Sequence, residues 1–409
     1  MNYSLGNMLS RGGALNPDGL ALDLQFAADK TLTARRGPTP TFTRASTATF
    51  VGSNGLIQSA AINQARFDHN PTTLASRGLL IEESRTNERT YSEDFSQATY
   101  GKTGVTISSV SDTSPSGGAT IQKLLEDTST GAHGFDFLNA QTGTQTFSIF
   151  LKAAGRQWGR LTANSVVTWF NLQNGVIGTV GVGHTALITN FGNGWYRCSV
   201  SFNAALSNTI QIRAATGDTN LTYTGDGASG IFAWGAQLEA GSFPTSYIPT
   251  TTASVVRSAD VCSITGSNFT GFWNPSEGTL FASGVTRGYL VMASSGANSN
   301  QIAIFRNPSP LYMRFDVASG GAYTAQIISA TIADGSFNKT AGSYATNDAR
   351  AAFNGTLGTA DITVTVPSNL TTLNIGSQSL GSAPHNGHIA AIRYYKKRLP
   401  NAKLQSLTT

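Results

Sequence analysis

IFAWGAQLEAGSFPTSYIPTTT, residues 231–252, is the stretch from which the rest of the chain can be divided. Its first half is an apolar strand carrying Ile231, Phe232, Trp234, Ala236 and Leu238. After Gly241 the chain turns polar and is not helical. Pro244 and Pro249 fix φ and remove two backbone donors, and Thr250, Thr251 and Thr252 favour extended backbone. One domain therefore closes here. The first half is expected to be the closing strand of a sandwich. Residues 242–256 are expected to form an extended strap along the outside of that sandwich, holding the domains at a set angle.

Composition agrees with short strands and many turns. At 409 residues the chain is long enough for two or three cores. Only 12% of it is charged, about half the usual share. Its 44 glycines and abundant Ser, Thr and Asn supply turn positions and side chains suited to a pleated surface. A hydrophobic content of 40% argues against bulk disorder. The formal charge of +5 is spread over scattered Lys and Arg, which leaves no footprint for specific nucleic-acid binding. The sequence shows no basic-then-apolar leader and no run of about 18 apolar residues, so neither a signal peptide nor membrane insertion is expected. Cys198 and Cys262 fall in different modules, outside any metal-ligand spacing, and read as small buried hydrophobes.

The region that includes the strap, residues 91–264, holds a train of strand-like segments. In TQTFSIFLKA, Phe147, Ile149 and Leu151 oppose Ser148 and Lys152. In GWYRCSVSF, Tyr196, Cys198, Val200 and Phe202 alternate with Trp195, Arg197, Ser199 and Ser201. Period-two alternation with one apolar face predicts an antiparallel sandwich of jelly-roll type. Residues 265–409 repeat the strand-and-turn pattern and predict a second sandwich, closed by GHIAAIRYY and a short helix at 401–407 after Pro400. Residues 1–90 have little apolar content and much turn chemistry. They predict short extended pieces that make a poor core alone and depend on neighbours. The fold class is all-β: an N-terminal short-strand region (1–90), a jelly roll (91–264) and a second β-sandwich (265–409).

The run FTRASTATFVGSNGLIQSAAINQARFDH (42–69), then RGLLIEESRTN (77–87), and later WGAQLEAGSFPTSYIPTTT (234–252) resemble a group of tailed-phage and prophage minor virion proteins, described as head fibres, tail fibres or spikes. The resemblance spans about residues 20–264 and brings no catalytic residues with it. FSIFLKA, GNGWYR and WGAQLE are similar to jelly-roll carbohydrate-binding modules. The order TLFASG, KTAGSYATNDARAAFNG, LNIGS and GHIAAIRYY resembles concanavalin-like or laminin-G-like sandwiches.

Glycoside hydrolysis needs two carboxylates about 5–9.5 Å apart. The last sandwich offers Glu277 and the dispersed Asp316, Asp334, Asp348 and Asp361, with no closely spaced array. No enzyme is expected. His385 and His388 read as a solvated loop, and no zinc set accompanies them. No cofactor is expected; calcium is the one ion that sandwich loops can take, for instance through Asn347 and Asp348. Sugar stacking needs flat exposed aromatics. Trp195 and Trp234 lie on strongly apolar strands and read as core, which leaves Trp158 and Trp169 as glycan-binding candidates. Arg393, Lys396, Lys397 and Arg398 read as charge that solvates a strand end.

These features and the resemblance together imply a fibre or spike made in a host cytoplasm and resident on the virion. Residues 1–90 would dock on capsid, portal, neck or tail proteins and associate as a homotrimer. The sandwiches would adhere to host surface polysaccharide without catalysis. A purely architectural decoration or tail component is the alternative, and a polysaccharide depolymerase a further one.

Overall fold

A computed structural model describes residues 18–285, 287–296, 299–378 and 385–409. The chain is 54% strand and 4% helical and builds antiparallel sandwiches, the all-β class expected of its composition.

Two six-stranded sheets, counted among the described residues, form the middle sandwich. The first is centred on Gly143–Ala154, which pairs with Trp195–Ala204 on one side and with Gly230–Ala240 on the other. The second runs Val176–Val180, Val166–Asn171, Trp158–Ala163, Asn208–Ala215, His133–Asn139 and Gly101–Thr103. Phe147, Ile149, Leu151, Cys198, Val200 and Phe202 face the second sheet in one core, as their alternation requires. Both cysteines are buried and free.

The second sandwich is composite. Its seven-stranded sheet contains Thr41–Thr43 beside Val261–Thr265. Its eight-stranded sheet contains Leu20–Leu24 and Ser76–Ile81, both paired with Gly387–Tyr395, and Phe67–His69 beyond them. The sequence division at residues 90 and 264 does not convey this. Strands from 18–90 complete the sheets of residues 261–395, and the middle sandwich is inserted between. Leu22, Leu24, Leu79 and Ile81 lie in the same core as Leu280, Phe315 and Ile392. That shared core is the physical form of the dependence on neighbours. The closing helix spans Asn401–Thr408 after Pro400.

The strap crosses the outer face of the first sheet of the middle sandwich. Tyr247 is buried against Trp234, with ring centroids 4.6 Å apart, and joins Phe150 and Trp195 in a cluster separate from the sandwich interior. Trp195 and Trp234 are thus buried as expected, but on the strap side. Ile248 N donates to Gln237 Oε1 at 2.7 Å, and Asn87 Nδ2 donates to the carbonyls of Ala236 (3.1 Å) and Ile248 (2.8 Å).

Where strap, N-terminal region and composite sandwich meet, five charged side chains are buried together. Asp260 accepts from Arg44 at 3.1 Å and Arg66 at 2.5 Å; Glu82 accepts from Arg66 at 2.8 Å and lies 2.9 Å from Arg257. Ser246 donates to Glu82 from both its backbone N (2.7 Å) and its Oγ (2.6 Å). Carbonyls of Ala61, Thr49 and Glu83 take further guanidinium protons. Burial alone would raise the Glu82 pKa, but Arg257 and Arg66 outweigh it and hold the carboxyl well below its usual range.

Candidate functional site

Trp158–Ala163 and Val166–Asn171 form a hairpin whose two-residue turn, Asn164 and Ser165, has positive φ at both positions (51° and 63°). That geometry matches the twist of the flanking strands and sets the register. Trp158 stands opposite Asn171, and Arg160 opposite Trp169. On the other side Arg160 stands opposite Arg213, which stands opposite Gly134. Because Leu161, Phe170 and Ile212 occupy the interior phase, Trp169, Arg160 and Arg213 form one row across the outer face.

The two arginines are almost wholly buried, 8% and 4% exposed, although they lie on an outer face. Arg213 reaches across Gly134, where an added Cβ would stand 3.0 Å from its Cδ. It donates to Asp136 Oδ2 at 2.7 Å. Arg160 lies over Trp169, with its guanidinium carbon 5.9 Å from a ring centroid, and donates from Nη2 to Gln211 Oε1 at 2.6 Å. Its Nε is buried with no hydrogen-bond partner among the described residues. Of the two neighbouring guanidiniums, only that of Arg213 thus has a carboxylate partner. Burial first, and the charge of Arg213 second, lower the Arg160 pKa to about 10. A planar oxyanion would relieve both effects through paired N–H donors.

The structure brings Trp158 and Trp169 to the same face on adjacent strands. Neither is an open stacking platform. Trp169 is 4% exposed beneath Arg160. Trp158 is half-buried and packs on Gly178, where a Cβ would meet its Cζ3 at 2.7 Å, beside Asp218. Arg160, Arg213, Gln211 and Asp136 escaped the sequence reading. Their signal is weak: arginine on the polar phase of two strands, in a chain with little charge. Their adjacency depends on pairing between strands about fifty residues apart.

Among the described residues, no three His, Cys, Asp or Glu side chains are grouped to hold a metal. Asp348 is paired with Arg398 at 2.8 Å. Glu126 and Asp226 share Arg156. His385 and His388 do not form a solvated loop. His385 is fully buried, which pushes its pKa down to about 3. His388 is in a strand and contacts Asp68 at 2.7 Å. The basic cluster near the C-terminus is partly neutralised, since Arg393 also meets Asp23 at 3.2 Å. The other carboxylates of the last sandwich are engaged too: Glu277 accepts from Arg398 N (2.9 Å), Asp316 from Arg314 (2.6 Å), Asp334 from Arg306 and Arg287, and Asp361 from Thr363 N (2.9 Å).

No family model matches the chain, and no curated protein matches it. Solved structures of similar build include the CBM40 of the Ruminococcus gnavus IT-sialidase bound to α2,6-sialyllactose. It is 15% identical over 35% of this chain and 88% of that one, with a TM-score of 0.30. The NanB sialidase of Streptococcus pneumoniae is 15% identical over 36% of this chain and 26% of its own, with a TM-score of 0.29. Mouse laminin α1 LG4-5 is 12% identical over 67% and 96%, with a TM-score of 0.24. No ligand or activity is carried over from them. The tailed-phage resemblance rests on the sequence motifs alone.

Proposed function

We propose that the protein is a non-catalytic adhesin of a tailed-phage particle whose middle sandwich holds acidic polysaccharide of the host surface. The observation that carries the binding reading is the pair Arg160 and Arg213, buried side by side, with a carboxylate on Arg213 alone and the Nε of Arg160 unpartnered. A sugar carboxylate supplies the missing acceptor. The phage assignment, assembly in the host cytoplasm, particle docking and a homotrimer follow from the motif resemblance and belong to the same proposal. Weak sites multiplied over the copies on one particle give useful avidity.

The test is binding of the full-length protein to acidic and neutral bacterial polysaccharides on one array, repeated with Arg160→Met. Acidic polymers should be retained, and the variant should lose at least tenfold in affinity. Equal retention of neutral polymers, or no retention of any, overturns the reading.

An architectural reading is favoured by one different observation, the buried ion cluster that clamps three regions together. It predicts particles that lose integrity without the protein while the purified protein binds no polysaccharide.

A further inference from the structure

Between the two sandwiches lies a cleft of about 620 Å³, within the size range of small-ligand and oligosaccharide sites. Its walls come from both sandwiches and the strap. Phe191 and Leu187 belong to the middle sandwich, Phe243 to the strap, and Phe337 to the composite sandwich. Leu187 is 46% and Phe337 51% exposed, so apolar surface faces the opening.

The polar groups of the cleft are unbalanced. Asp68 is held by His388 (2.7 Å) and by Val51 N (2.6 Å). Glu82 is held by Arg66, Arg257 and Ser246. Both acceptors are therefore engaged behind the cleft wall. Donors are left over. The Arg77 side chain lines the cleft and has no hydrogen bond or ion pair among the described residues. Arg197 gives Nη1 to Thr245 O at 2.7 Å and Nη2 to Ser148 Oγ at 2.9 Å, while its Nε stays buried and unpartnered. Ser76 Oγ is also buried without a partner. Arg287 lies across Phe243, 4.6 Å from its centroid, and shares Asp334 with Arg306.

We infer that this cleft is a second binding site, for an oligosaccharide segment bearing an anionic oxygen group, with Arg77, Ser76 and Arg197 as its donors. Ring faces take the C–H faces of the sugars, and the spare donors take the anion. The carboxylate of a uronic acid and the phosphate of a sugar phosphodiester share this chemistry. The inference extends the glycan reading to a site on different residues, so that the two fail separately.

The experiment is calorimetric titration of the full-length protein with three probes: a galacturonate tetramer, a phosphodiester-linked hexose tetramer and a neutral cellotetraose. Arg77→Met and Phe337→Asp serve as cleft variants, and Arg160→Met as the control on the other face. The wild type should bind one of the anionic probes at two sites per chain and ignore the neutral one. Each cleft variant should keep one site and lose the other by tenfold or more, and Arg160→Met should retain the site that the cleft variants lose. Preference for the uronate or for the phosphodiester identifies the anion. Unchanged stoichiometry in both cleft variants overturns the cleft while leaving the outer-face site standing. Loss in the cleft variants alone, with Arg160→Met unaffected, supports the cleft and sinks the outer-face site. Equal binding of cellotetraose overturns both.

Discussion

Arg66 and Asp260 lie 194 positions apart in sequence and meet at 2.5 Å with neither side chain exposed. Around them Arg44, Glu82 and Arg257 complete a cluster of three cations and two anions, with backbone carbonyls taking the surplus protons. Burying such charges costs several kcal/mol per ion, so the cluster holds only while each partner is in place. Its members come from the segments 42–69 (Arg44, Arg66) and 77–87 (Glu82) and from Arg257 and Asp260 just beyond the strap. Those segments therefore have a structural role whatever the chain binds.

Asp260→Ala should strand Arg44 without a carboxylate, leave Arg66 with Glu82 alone, and destabilise the protein by about 3–5 kcal/mol. Urea unfolding followed by tryptophan emission should show a lower midpoint. A midpoint within error of wild type would mean that carbonyl dipoles satisfy Arg44, and Glu82 with them Arg66, without Asp260.

Acid should loosen the same junction. The Glu82 pKa is depressed in the fold, so its contribution is fully present above the unfolded carboxylate range, near pH 4.5 and higher. It is lost as pH falls towards the folded value. Thermal melts between pH 7 and pH 2 should fall in acid, and Glu82→Gln should flatten that fall. Parallel curves for the two proteins would remove Glu82 from the account.

Asp316 should act in the opposite direction. It is fully buried, and desolvation outweighs Arg314 to raise its pKa from 3.8 to about 6. Its contribution is present below pH 4 and lost as pH rises through 6, a swing of roughly 3 kcal/mol. Carboxyl NMR should show one aspartate titrating near 6. A titration of Asp316 near 4 would contradict the proposed desolvation.

Trp234→Ala should remove the surface on which Tyr247 rests and cost about 3–5 kcal/mol. Limited proteolysis should then cut the strap near Phe243 while the sandwiches survive. Wild-type resistance at that point would show that the hydrogen bonds to Gln237 and Asn87 hold the strap without the aromatic contact.

Much of the fold was legible because it is local. Alternation in TQTFSIFLKA and GWYRCSVSF identifies the core face of each strand, and Pro244 and Pro249 identify the strap. The composite sandwich was not legible. Thr41–Thr43 pairs with Val261–Thr265 across more than two hundred residues, and short strands carry too little pattern to name a partner. The site divides the same way. Trp158 and Trp169 could be picked by residue type, but their exposure depends on what covers them, and Arg160 covers Trp169.

By itself the sequence determined the β class, the strand phases and the place where one sandwich closes, because backbone preference and period-two burial act over a few residues. Tertiary structure alone decided three things: that the N-terminal strands complete the far sandwich, that five buried charges lock the junction, and that two arginines stand side by side. Each depends on the pairing of distant segments, which is set by the summed burial of whole sheets rather than by any local run.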